Sequence, residues 1–218
     1  MSASNEWSQL KKVIVGIADN AKIPDIDISV RTVNYADLAN TNGVILGQYP
    51  QQVIDEANED LETFAGFLKD EGVKVLRPDA TDCAYYNYCP RDTVLVHGDI
   101  TIATPMPIRA RQGEWKAFEQ HLTNTVDLNC ETPDNLYNSN CIGDKDTLAL
   151  HEHIPAFDAA NIIRANNHLL YLVSNSGNRA GAELLQKTLG HDVKVCLLEG
   201  VYSYMHIDST VAFLREGL

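Results

Sequence analysis

Four residues of this 218-residue sequence have the types and spacing for acid–base chemistry on a cation: Asp92, Asp158, His206 and Asp208. His206 and Asp208 stand two apart, which on an extended strand puts both side chains on one face. Carboxylates gathered in one place repel one another unless a cation sits among them. A guanidinium or amidinium suits such a site, because its planar N–H fork pairs with carboxylates two bonds at a time. A histidine at the same point supplies a general acid–base near neutral pH. The competing reading is that these aspartates merely cap strands and turns.

What could bring residues 92, 158 and 208 together is internal repetition. Asp92–Ala103 reads as an acid, an apolar run, a turn and a second apolar run. Asp158–Val173 repeats the pattern around a turn at Ala165-Asn166-Asn167, and a third copy opens at Asp208 and stops in its turn, Arg215-Glu216-Gly217. Amphipathic helices follow the first two copies. One spans about Gln112–Leu122, with Trp115, Phe118 and Leu122 on one face, and the other spans Gly177–Leu189, stopped by Gly190. Short apolar runs at 125–128 and 193–197 close these units as strands.

Nearer the N-terminus, Lys11–Gly16 reads as a buried strand closed by a glycine, and Val73–Leu76 as another. Between them Gln51–Asp70 is an amphipathic helix ended by Gly72, with Val53, Ala57, Leu61, Phe64, Ala65 and Leu68 as its apolar positions. Residues 19–50 read as a long, partly irregular connection, and residues 129–156 as polar loop. Strand, strand, helix, strand therefore recurs about three times and is begun a fourth time. No linker separates the units, so the expectation is one α/β domain of repeats over residues 1–218. Units arranged around an axis would bring their opening positions together.

Thirty acidic against seventeen basic residues give a formal charge of −13. That balance argues against nucleic acid as a partner and is compatible with a cationic small molecule. No apolar run approaches the ~20 residues of a membrane span, and the first residues lack the apolar core of a signal peptide. Cys83, Cys89, Cys130, Cys141 and Cys196 are odd in number and lack CxxC spacing, as in a cytoplasmic protein with reduced thiols. His151-Glu152-His153 could offer two imidazoles to a metal, but a solvated loop is the simpler reading. No metal, nicotinamide or flavin cofactor is implied. The tyrosines of Thr81–Pro90 either line a pocket or pack over a sheet edge.

Four stretches are more specific together than alone. They are Asn5-Glu6-Trp7-Ser8-Gln9-Leu10-Lys11-Lys12-Val13-Ile14-Val15-Gly16, Pro90-Arg91-Asp92, Phe157-Asp158-Ala159-Ala160-Asn161-Ile162-Ile163-Arg164 and Met205-His206-Ile207-Asp208-Ser209-Thr210. In this order and spacing the chain resembles the glycine/inosamine-phosphate amidinotransferase family. The resemblance implies the pentein fold, an α/β propeller of ββαβ modules around a central channel, with about three of the family's five modules present. It also implies a reaction. A cysteine attacks the guanidinium carbon of arginine, releases ornithine, and passes the amidino group to an acceptor amine such as glycine.

Carried over by motif, His206 is the general acid–base, and Asp158 orients the imidazolium and holds the guanidinium. Asp92 and Asp208 grip the guanidinium and amino nitrogens of the substrate. Asn161 stands where many members have a second acid, at a position expected outside direct substrate contact. The family's nucleophilic cysteine is expected beyond Leu218, in the last module. Cys196 reads as core, and Cys89 adjoins Pro90-Arg91-Asp92 without a matching context. The expectation is thus an incomplete amidinotransferase domain, inactive alone, whose uncovered edges favour homo-oligomers. Two alternatives stand beside it. One is an arginine deiminase-like hydrolase, disfavoured because Phe157-Asp158-Ala159-Ala160 replaces the Glu-Gly-Gly-Asp pattern usual there. The other is a naturally short, non-catalytic arginine-binding protein.

Overall fold

Two short apolar runs near the N-terminus pair across a long helix, and that connection sets the first unit. A computed structural model describes residues 2–82 and 85–217. Strand β1 (Lys12–Ile14) leads through β2 (Lys22–Ile23), α1 (Ile28–Val33) and β3 (Gly47–Gln48) to helix α2 (Gln51–Asp70) and strand β4 (Lys74–Leu76). The connection over residues 19–50 therefore contains an antiparallel β2–β3 pair and a six-residue helix capped by Asp27. Helix α2 has the bounds its periodicity predicts. Gly72, at φ 81°, makes the left-handed turn that stops it. Its buried stripe is Ile54, Ala65 and Leu68, rotated from the expected one, so Val53 and Phe64 stay exposed. Ala65 and Leu68 pack on Val15 and Val73, over the parallel β1–β4 pair.

Two complete units follow. The short helix α3 (Pro90–Thr93) enters β5 (Val94–His97), which turns into β6 (Ile100–Ala103), and a 3₁₀ helix over Glu114–His121 crosses to β7 (Thr125–Asp127). A 3₁₀ turn over Ala159–Asn161 enters β8 (Ile162–Ala165), then β9 (His168–Leu172), helix α4 (Arg179–Leu189) and β10 (Lys194–Leu198). In both units the first two strands are antiparallel and the last joins the second in parallel. This is the repeat visible in the sequence. The N-terminal unit is a shorter version, β1–α2–β4, without a preceding antiparallel strand among the described residues. The crossover at 114–121 is 3₁₀ rather than α-helical, and three residues per turn put Trp115 and Phe118 on one buried face.

The core runs between the two complete units. Leu95 and Ile102 of the first meet Ile162, Leu169 and Tyr171 of the second, together with Phe157, Ala182 and Leu185. Helix α4 approaches β9 so closely that a Cβ on Gly181 would lie 2.8 Å from the Tyr171 hydroxyl. Ahead of β1, the N-terminal segment straps both hairpins. Ala3 bridges Gly98 in the β5–β6 turn, and Asn5 bridges Ala165 at the end of β8.

The segment 206–209 departs from the sequence reading. His206 is extended, but Ile207–Ser209 is a 3₁₀ turn, and no strand is assigned over residues 210–217. Asp208 therefore lies in a turn instead of sharing a strand face with His206. The cause is Ile207, which is buried against Ile163 and Leu172 and pins the chain at that point.

Candidate active site

Three short helical turns carry the residues singled out in the sequence. Pro90–Thr93 holds Asp92, Ala159–Asn161 is preceded by Asp158, and Ile207–Ser209 holds Asp208 and is preceded by His206. Equivalent positions are best counted from the residue that caps each turn, and those residues are Cys89, Asp158 and His206. The three aspartates consequently do not occupy one repeat position. Asp92 matches Asn161 and Ser209, whereas Asp208 matches Arg91 and Ala160. The repetition places the turns together, and the side chains then reach the site from different registers.

His206 and Asp158 are in direct contact. His206 Nε2 lies 2.7 Å from Asp158 Oδ2, and the Asp158 side chain is only 4% exposed. Asp158 Oδ1 is buried as well, with no hydrogen-bond partner among the described residues. Burial works against a charged imidazole, but Asp158, then Asp92 and Asp208, outweigh it and hold His206 up at about 9. Burial pushes the Asp158 carboxyl upward too, and the imidazolium pulls it back. The Tyr202 hydroxyl donates to the His206 carbonyl and the Ser209 hydroxyl does the same, which steadies the backbone there.

Asp92 and Asp208 each face an arginine. Arg111 Nη1 donates to Asp92 Oδ2 at 2.6 Å, and Arg111 Nε donates to Glu114 Oε2 at 2.8 Å. This guanidinium is almost wholly buried and lies over the Tyr86 ring, 4.3 Å from its centre. Burial raises Glu114 to about 7, with Arg111 partly offsetting it. Arg91 Nε lies 3.7 Å from Asp208 Oδ2. Burial raises Asp208 as well, against the pull of Arg91 and His206.

Arg91, Arg111, Glu114 and Tyr86 carry this arrangement, and none was selected from the sequence. Arg91 stood inside a quoted motif without a role. For Arg111 and Glu114 the local signal is their i,i+3 spacing, which says nothing of Asp92 and Tyr86, the partners that other segments supply. Glu6 and Arg164, also motif residues, form a two-pronged ion pair, with Arg164 Nε and Nη2 each 2.8 Å from a Glu6 oxygen. They clamp the N-terminal strap to β8.

Asn161 turns away to Ser176 and Ser174, donating to the Ser176 hydroxyl at 2.9 Å. Cys89 borders the cluster, and burial followed by Asp92 pushes its thiol up to about 12. Such a thiol stays protonated, the opposite of an activated nucleophile. Cys196 is half-buried on β10, a sheet edge, rather than in the core. Cys83 lies outside the described residues. Tyr85, Tyr86 and Tyr88 stack in a row at 4.3 and 4.2 Å, so the central ring serves Arg111 instead of lining an open pocket. Among the described residues no cluster of three or more His, Cys, Asp or Glu could hold a metal ion. No described helix is long and apolar enough to cross a membrane.

No family model matches the chain. Inosamine-phosphate amidinotransferase 1 of Streptomyces glaucescens is 36% identical over 239 residues, covering all of this chain and 68% of that protein. The chain belongs to the inosamine-phosphate and glycine amidinotransferase family. A solved structure of an inosamine-phosphate amidinotransferase from Streptomyces griseus superposes with a TM-score of 0.91 at 34% identity, over 99% of this chain and 67% of that one. An amidinotransferase of saxitoxin biosynthesis from Microseira wollei gives 0.84 at 28% identity, over 95% and 67%. The mixed α/β architecture is the pentein-type fold of this family.

Proposed function

We propose that this chain carries the guanidinium-binding and acid–base part of an arginine amidinotransferase site. The observation that carries this reading is Asp158. One of its oxygens holds His206 and the other is a buried acceptor without a partner among the described residues. Leaving such an atom unpaired costs about 1–3 kcal/mol. A guanidinium N–H recovers that cost and matches the carboxylate fork.

In the family's reaction a thiolate attacks the guanidinium carbon of arginine. The carbon–nitrogen bond to ornithine breaks, and the departing nitrogen takes a proton from the His206 imidazolium. The acceptor amine then attacks the amidino carbon, the neutral imidazole accepts its proton, and the thiolate leaves. Asp158 stabilises the imidazolium throughout, while Asp92 and Asp208 hold the substrate's nitrogens. The raised pKa of His206 suits the first step, because the proton is present at neutral pH. We assign the thiolate to the part of the family beyond the two thirds that this chain spans, since burial holds the Cys89 thiol protonated. The acceptor is read as a glycine-type amine.

Calorimetric titration with L-arginine tests the binding half. Saturable binding that Asp158→Asn abolishes is expected, and unchanged affinity overturns it. Ornithine formed by this chain alone, from arginine and glycine, would overturn the assignment of the nucleophile. Citrulline would instead make it a hydrolase. We further propose a cytoplasmic protein, one domain over residues 1–218, that self-associates through apolar surface such as Val53, Phe64 and Phe67 on the outer side of α2. A monodisperse monomer in light scattering would reject the association.

A further inference from the structure

Arg91 touches each of the three turns that carry the site. It belongs to Pro90–Thr93 and is the covalent neighbour of Asp92. Its Nη1 donates to the Ala159 carbonyl at 3.1 Å and its Nη2 to the Ile162 carbonyl at 2.6 Å. Those carbonyls stand at the start and end of the turn that Asp158 caps. Its Nε faces Asp208 at 3.7 Å. Glu6 stands 3.7 Å from Nη2 on the far side and is itself fixed by Arg164. The planar fork thus holds both ends of the Asp158 turn with its two terminal nitrogens and faces the Asp208 turn with Nε.

We propose that Arg91 is the positioning residue that sets the distances among Asp158, His206 and Asp208. It rests on reading that cluster as the active site, but it concerns geometry and can fail separately from turnover. The competing role is simple cross-linking of two modules. Arg164, which pairs with Glu6 and also donates to the Val96 carbonyl, already does that. Burial followed by the nearby Arg164 charge lowers the Arg91 pKa, so the cation is kept there at a cost. A lysine would keep the charge, but one ammonium on a flexible stem cannot hold two carbonyls and a carboxylate at once.

The test is the NMR titration of the His206 imidazole in the 218-residue chain, assigned among its seven histidines by comparison with His206→Gln. The groups that set this titration are Asp158, Asp92 and Asp208. Arg91→Lys is expected to lower the midpoint by about one pH unit or more, as the Asp158 turn loosens. Arg164→Lys is expected to lower thermal stability and leave the midpoint in place. A wild-type midpoint in Arg91→Lys overturns the proposal, because charge alone would then suffice. Arg91→Gln gives a second reading of opposite sign. Positioning predicts a lower midpoint, whereas a role through charge predicts a higher one, with Asp208 left unneutralised. Failure of both variants to fold would make Arg91 a structural clamp and also overturn the proposal.

Discussion

His206 Nε2 sits 2.7 Å from Asp158 Oδ2, across 48 residues of sequence, and the pair is enclosed on its carboxylate side. Asp158→Asn removes the anion that chiefly holds the imidazolium. The His206 midpoint is expected to fall from about 9 toward the ordinary 6.5, read from its ring protons by NMR. The same pair sets a stability window. His206 is held above its unfolded value, so its contribution is full below pH 6.5 and is lost as the pH rises through about 9. Urea midpoints measured from pH 6 to 10 should decline across that interval in the wild type and much less in Asp158→Asn.

Arg111 is the cation of two buried acids. Arg111→Met leaves Asp92 and Glu114 buried without it and is expected to cost about 3–5 kcal/mol in denaturant unfolding. Glu114→Gln is milder and has a pH signature. The folded chain keeps a proton on Glu114 that the unfolded chain releases between pH 4.5 and about 7. Wild-type stability therefore loses this contribution as pH rises through that window, and Glu114→Gln should lack the loss.

Cys89 and Cys130 should separate on alkylation. Burial beside Asp92 holds Cys89 near 12, whereas Cys130 is exposed on a loop. Iodoacetamide at pH 8 followed by peptide mass spectrometry should find Cys130 modified well before Cys89. Fast labelling of Cys89 would restore it as a candidate nucleophile.

Two glycines should respond in opposite directions. A Cβ on Gly16 would lie 2.5 Å from the Asn87 carbonyl oxygen and from the Tyr88 Cα, both backbone atoms. Gly16→Ala is expected to cost about 1–3 kcal/mol and to displace the segment that leads into Cys89. Gly66 lies inside α2 with nothing within 4 Å of its Cβ position. Gly66→Ala should stabilise by about 0.5–1 kcal/mol, read from urea midpoints.

Helix α2 was legible to the residue because a proline precedes it, a glycine stops it and the pattern between them is periodic. The two complete units were legible because each hairpin is two apolar runs around a polar turn. The 3₁₀ form of residues 114–121 was not, since a three-residue and a 3.6-residue period coincide over two turns. Type and resemblance single out the four candidate residues, whereas the turn that carries Asp208 is not legible in the sequence. The sequence pattern puts Asp208 on a strand, because nothing local marks Ile207 as the residue that turns inward. Arg111 and Glu114 were invisible for a different reason. Their meaning lies in Asp92 and Tyr86, and only the tertiary fold supplies those partners.

The N-terminal strap has a kinetic consequence. Glu6 is bonded to Arg164, 158 residues away, and Asn5 to Asn166, 161 residues away. Toward the other end, Phe213 packs edge-on against Trp7. Contacts of such range close late, because the loop entropy must be overcome before they contribute. On a ribosome the strap must wait for residues 164 to 166 to emerge, and His206 must wait longer still. Helices such as α2, made of local contacts, need no such wait. Refolding should therefore show helical circular dichroism first and the displaced His206 resonance last, with the His206–Asp158 contact arriving as the closing event of the folding reaction.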